Sequence, residues 1–259
     1  MRAASCFLFA SLLFGGGCLA YNAECPPDTT PIIGRTESFL DLRHSFVRTR
    51  EAPIGNLITD AFYAELLSFG ADLAIVDSGS IRDQSDCGAM DFIDAGPVSR
   101  GLIAEILPFD NKLALVEVTG NDLMKVLEHS VARLGDPGEM GVASQFLQVS
   151  HLQFQVDCAG AAQEGNQVGE RVSHVAIADA AGSWTPLDAQ QTYRIATNTF
   201  LADGGDAYLW LRNQHPLPSA LPDFVVVATY ISTQPGSVVA PAVSGRILLD
   251  QSCLEGTAE

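Results

Sequence analysis

Two kinds of apolar pattern take turns along this chain, and that alternation restricts the fold more than composition does. Over residues 53–69 the positions Ile54, Leu57, Ile58, Ala61, Phe62 and Leu66 fall on one face of a helix, with Pro53 suited to its first turn. Residues 72–77 (DLAIVD) then form a short apolar run of strand length, closed by a Ser-Gly-Ser loop. Residues 98–107 read as a helix stopped by Pro108, and residues 112–118 alternate like a strand. The helical period returns over residues 120–134 through Leu123, Val126, Leu127 and Val131. Strand-like runs follow at 146–149, 152–156, 172–178 and 193–197, and Asp223 can cap a last helix carrying Val226, Val227, Tyr230 and Ile231. Residues 160–169 and 216–222 read as surface loops, and no internal repeat or low-complexity tract interrupts the series. The expected class is mixed α/β (α+β), a mixed sheet flanked by helices.

The amino terminus has a different character. Arg2 gives a basic start, residues 6–14 are almost continuously apolar, Gly15, Gly16 and Gly17 break any helix, and the segment ends on Ala20. That order is the one a secretory signal requires, and the apolar run is too short to cross the ~30 Å hydrocarbon core of a bilayer. The reading is a signal peptide over 1–20, a proline-marked leader over 21–34, one domain over 35–250 and a polar tail over 251–259. Lipidation of Cys18 is disfavoured because Gly15 occupies the place where a lipoprotein signal carries a leucine-like residue. No later segment is long and apolar enough to span a membrane, and the tail carries no lipid-anchor signal. The expected location is secreted, extracellular or periplasmic.

Cleavage after Ala20 leaves Cys25, Cys87, Cys158 and Cys253. An even number in an exported chain predicts two disulfides in one of three connectivities, among them a bridge from Cys25 to Cys253 that would tie the two ends together. None of these cysteines stands in a CxxC pattern, which argues against a structural metal. Acidic residues outnumber basic ones 31 to 14, for a formal net charge of −17. A surface so negative repels polyphosphate, so nucleic acid is not an expected partner and most of the charge serves solubility. Any site for a phosphorylated ligand must be locally basic against that field.

The catalytic patterns are missing. His44, His129, His151, His174 and His215 are scattered, without an HxH pair or an HExxH. A dinuclear phosphatase centre draws its ligands from several close-set motifs, because its metals sit ~3.5–4 Å apart. There is no GxSxG elbow and no Walker loop. No metal and no cofactor is expected, and His129, on the helix over 120–134, reads as a structural or surface histidine rather than as a ligand.

What remains is a series of motifs, in order: GNLITDA at 55–61, DSGSIR at 77–82, LPF at 107–109, LEHSV at 127–131, FLQVS at 146–150, NTFLADGGD at 198–206 and TYIS at 229–232. Spread over 55–247, they resemble the C-terminal domain of the 5′-nucleotidase/UDP-sugar hydrolase family. In that family this domain grips the nucleoside while an N-terminal metallophosphatase domain, whose motifs are missing here, hydrolyses the phosphate. The resemblance implies that Phe109 and Phe200 sandwich the base, and two rigid rings on opposing loops suit a flat ligand. It implies that Asp206 accepts from the ribose hydroxyls. Arg82 and Arg48 match the arginines near ribose and phosphate, with Arg50 the alternative to Arg48. Asp77 and Gly79 belong to the base-facing loop.

That loop departs from the family pattern, in which an asparagine precedes the glycines and donates to an acceptor nitrogen of the purine. Asp77, when ionised, has no proton to donate. Leaving such groups unpaired costs ~1–3 kcal/mol, which puts purine preference in question. The functional expectation is a secreted nucleoside- or nucleotide-binding domain, catalytically silent alone. The alternative is a 5′-nucleotidase-type hydrolase component completed by a metallophosphatase domain on a separate chain.

Overall fold

The computed structural model describes residues 30–85, 88–135, 143–165, 167–212, 214–215, 217 and 221–253. The expected signal segment, Cys25, Cys87 and the tail beyond Cys253 lie outside them. Among the described residues no helix is long and apolar enough to cross a membrane.

The DLAIVD run becomes the strand Leu73–Asp77, buried along its whole length. Both of its faces are covered. Leu73 and Ile75 enter one apolar cluster, and Ala74 and Val76 enter another. A strand with two dry faces is continuously apolar rather than alternating, which is why this run reads as it does. It sits inside a five-stranded sheet ordered Gln214–His215, Leu113–Thr119, Thr192–Asn198, Leu73–Asp77, Leu147–Ser150. Thr192–Asn198 pairs parallel with Leu73–Asp77 and antiparallel with Leu113–Thr119, so the sheet is mixed.

On one face pack the helices Pro53–Leu66, Arg100–Ile106 and Asp223–Thr233, through Ile54, Ile58, Phe62, Ile103, Ile106, Val227 and Ile231. On the other lie the helix Gly120–Val131 and a second sheet ordered Trp184–Pro186, Val172–Ala178, Leu152–Val156, Ile247–Leu249. A third sheet sets Ile32–Thr36 between Val238–Val239 and Gly96–Ser99. Its first strand crosses the boundary expected at residue 35. The mixed α/β expectation is met.

Several local expectations change. The helix read over 98–107 begins at Arg100, because Ser99 accepts from the Leu102 amide at 3.0 Å as its N-cap while Val98 belongs to the preceding strand. Asp223 is the first residue of its helix rather than the cap, a place Pro222 takes. Its amide donates to the Asn111 carbonyl at 2.8 Å, and its own Oδ1 accepts from the Phe224 amide at 2.7 Å. The glycine-rich stretch over 198–206 is not all loop. Asn198 caps a single turn, Thr199–Ala202, by accepting from the Leu201 amide at 3.0 Å.

One disulfide of the expected kind is present. Cys253 pairs with Cys158, not Cys25, with Cα atoms 5.0 Å apart across a sequence separation of 95. This bridge ties Cys253 to the segment that follows the strand Leu152–Val156 of the second sheet. Glu51 holds the same region from the other side: its buried carboxylate accepts from the amides of Ser244 at 2.7 Å, Gly245 at 2.9 Å and Arg246 at 2.8 Å.

Candidate functional site: a cavity at the strand ends

The strand Leu73–Asp77 runs into a tight turn, Ser78–Ser80, that delivers Asp77, Gly79, Ser80 and Arg82 to one wall of a cavity of about 460 Å³. The chain leaving Arg100–Ile106 adds Phe109 and Asn111, and the capped turn after Thr192–Asn198 adds Phe200 and Asp206. Arg48 and Ser144 complete the lining. Apart from Arg50, the alternative to Arg48, every residue the resemblance singled out borders one space, although they are scattered from Arg48 to Asp206.

Arg48 reaches the cavity from a short helix, His44–Val47, which is anchored by a buried glutamine. Gln148 Nε2 donates to the carbonyls of Val47 and Arg50, both at 2.8 Å, and its Oε1 accepts from the Ala52 amide at 2.9 Å. The glutamine can lie there because Gly55 has no side chain: a Cβ at that position would stand 2.3 Å from Gln148 Cγ. Arg50 does not line the cavity; its guanidinium lies over the Phe46 ring, 5.4 Å from the centroid.

Phe109 and Phe200 are 46% and 38% exposed, far from the core burial of a structural phenylalanine. The Arg82 guanidinium lies 4.6 Å from the Phe109 centroid. The Phe200 ring rests on Gly205, where a Cβ would approach its Cε2 and Cζ to 2.6 Å.

The charges are mixed. Burial, and then Arg82, lower the pKa of Arg48, whose Nη2 lies 2.9 Å from His44 Nε2. Its Nε is buried and has no hydrogen-bond partner. Asp77 is 1% exposed, and burial pushes its pKa up to about 6. The neighbouring Asp206 adds to that shift, and the Ser80 hydroxyl opposes it by donating to Asp77 Oδ1 at 2.7 Å. A carboxylate here is therefore poised between acceptor and donor.

Sequence reasoning passed over Ser80, Asn111 and Ser144. The first lies inside the DSGSIR motif and the second is two places past Phe109, so both carried a positional signal; Ser144, ahead of the FLQVS run, carried none. No group of three or more histidine, cysteine, aspartate or glutamate side chains among the described residues could hold a metal. The dinuclear centre of a phosphatase therefore does not fit these residues.

Fold and cavity together define an α/β domain with a cavity at the ends of its central strands. Residues 32–213 match the family described as "5'-nucleotidase, C-terminal domain", and the chain belongs to that family. Protein 5NUC of Lutzomyia longipalpis is 33% identical over 229 residues, covering 83% of this chain and 37% of that protein. The 5′-nucleotidase of Homo sapiens is 30% identical over 232 residues, covering 85% and 37%. Among solved structures, a 5′-nucleotidase precursor from Thermus thermophilus superposes with a TM-score of 0.72 at 29% identity, covering 85% of this chain and 39% of that one. The chain thus spans little more than a third of the length of these relatives.

Proposed function

We propose that this protein is a secreted domain that binds a nucleoside or nucleotide between Phe109 and Phe200, and that the chemistry of phosphate release rests on residues outside this chain. One observation carries the reading: two half-exposed aromatic rings, two arginines and the Asp206 carboxylate converge on one cavity at the strand ends. Aromatic rings suit the faces of a base. Asp206 suits the ribose hydroxyls as an acceptor. The partnerless Nε of Arg48, beside Arg82, suits an anionic or strongly accepting group. Gly79 lets the base-facing loop pass close to the ligand, with Asp77 behind it. Export is supported by the signal-like segment over 1–20.

The name of the family favours a second reading, in which the domain is the substrate-holding part of a nucleotidase completed by a metallophosphatase domain. Titration calorimetry of the purified protein against AMP, adenosine, UMP and UDP-glucose tests the first reading. Saturable binding of at least one of them, weakened by Phe200→Ala, is the expected result. Heat signals indistinguishable from dilution for all four would overturn it.

A further inference from the structure

We propose that His129 is a positioning residue for ligand binding: from the opposite helix it fixes the backbone that carries the Asp206 carboxylate into the cavity. The inference rests on the nucleoside reading above and extends it to a residue that does not line the cavity.

Asp206 and the residue after it adopt a backbone that side chains resist. Their φ values are 47° and 65°, following Gly204 at 86°. Successive left-handed residues bearing a Cβ are sparsely populated and do not persist unless the surroundings hold them. His129 supplies that hold. Its Nε2 lies 2.7 Å from the Asp206 carbonyl oxygen, and because a carbonyl can only accept, Nε2 is the donor.

The histidine is itself well anchored. Its ring meets the buried Tyr208 edge-on, centroids 4.7 Å apart at 87°. Glu128, before it in sequence, accepts from the amides of Arg171 at 3.2 Å and Val172 at 2.8 Å. Ser130, after it, accepts from the Leu147 amide at 2.9 Å. The network also crosses to the far wall. Gln145 Nε2 donates to the His129 carbonyl at 2.6 Å, Tyr208 donates its hydroxyl to the Gln145 carbonyl, and the Ser144 carbonyl accepts from the Gly79 amide at 2.8 Å. His129 therefore stands between the Asp206 turn and the loop that carries Asp77.

A ligand that does not use Asp206 should not feel the loss of this bond. The test is calorimetry on the purified protein with adenosine and with 2′,3′-dideoxyadenosine, which lacks the hydroxyls Asp206 would receive. Wild type is expected to prefer adenosine. His129→Leu, which removes the donor, should weaken adenosine about tenfold, as the loss of one charge-assisted contact does, and leave the dideoxy ligand unchanged. His129→Gln, whose amide can stand near the Nε2 position, should keep the preference, whereas the shorter His129→Asn should lose it; that pair decides the matter if the leucine variant does not fold. In an Asp206→Ala background His129→Leu should have no further effect. Equal weakening of both ligands would overturn the proposal, reducing His129 to a general support, and so would an unchanged preference in the leucine and asparagine variants. Failure of wild type to bind any of adenosine, AMP, UMP and UDP-glucose would overturn the nucleoside reading itself and this proposal with it.

Discussion

Asp77 and Ser80 are joined by a 2.7 Å hydrogen bond in which the Ser80 hydroxyl donates to Oδ1, and Asn198 Nδ2 approaches the same hydroxyl oxygen at 3.3 Å. The serine thus passes a donor from the capped turn at Asn198 to the carboxylate facing the cavity. That donation, with those of the Asp77 and Ser80 backbone amides, does not offset the burial of Asp77, whose pKa rises from 3.8 to about 6. Asp223 shows the same behaviour: burial lifts it to about 7 against the donation from the Phe224 amide.

Both shifts link stability to pH in one direction. A carboxyl whose folded pKa lies above its unfolded value is bound to its proton more tightly in the native state. Its contribution is present at low pH and is lost as pH rises from the unfolded value through the folded one. For Asp77 the loss is complete above about pH 6 and is on the order of 3 kcal/mol. The melting temperature is therefore expected to rise as pH falls from 8 to 5. Asp77→Asn and Asp223→Asn should each flatten part of that rise. A slope identical to wild type in both variants would contradict the assignment.

On the proposed nucleoside reading, the same carboxyl should govern purine binding. Above its pKa, Asp77 meets a purine's acceptor nitrogen with no proton to offer; below it, the protonated acid donates. Adenosine should bind more tightly at pH 5 than at pH 8. Asp77→Asn, with a donor of nearly the same shape, should tighten binding at pH 8 by ~1–3 kcal/mol and remove the pH dependence. Equal adenosine affinity in wild type and Asp77→Asn at both pH values would mean that the base is not read by this residue.

The central elements were legible because their signals are local. Leu73–Asp77 is apolar throughout as a strand covered on both faces must be, and Pro53–Leu66 carries its helical period and its leading proline together. Elements made by distant pairing were not legible. Ile32–Thr36 is a strand because Gly96–Ser99 and Val238–Val239 flank it, and neither partner is written in its own five residues. The cavity was legible through motifs whose residues lie at strand ends and caps, where the backbone demands particular side chains. The place of His129 on a helix marks it only as a structural or surface histidine; its bond to the Asp206 carbonyl spans 77 positions and has no sequence signature.

The bridge between Cys158 and Cys253 closes a loop across 95 positions. Long closures restrict the unfolded chain most, so Cys253→Ser should lower unfolding free energy by ~2–4 kcal/mol in denaturant melts. If the second expected bridge forms from the remaining cysteines, thiol titration of unreduced, denatured mature protein should find no free thiol. Two or more per chain would refute the second bridge.

Phosphate release tests where the chemistry resides. Incubated with AMP and Mn²⁺, Zn²⁺ or Co²⁺, the purified protein should release no phosphate above background, since no described group of side chains suits a metal. Steady turnover that copurifies with the protein and disappears on chelation would show that this chain holds a catalytic centre after all.

The last prediction concerns the support beneath Phe200. Stacking contributes ~1–3 kcal/mol per base, so Phe200→Ala should weaken any base-bearing ligand by one to two decades or so. It should leave the melting temperature nearly unchanged, because the ring is 38% exposed and contributes little to the core. Gly205→Ala should reach part of the same result by another route. The added methyl would stand 2.6 Å from the ring, and because an aromatic ring cannot yield by bending, Phe200 must rotate or shift. Its φ is not in the left-handed range, so the cost of the alanine falls on the ring rather than on the backbone. In the Phe200→Ala background the obstruction is gone, and Gly205→Ala should cost no further affinity. Additive losses in the double variant would show that Gly205 acts on the ligand directly and that the ring does not depend on it.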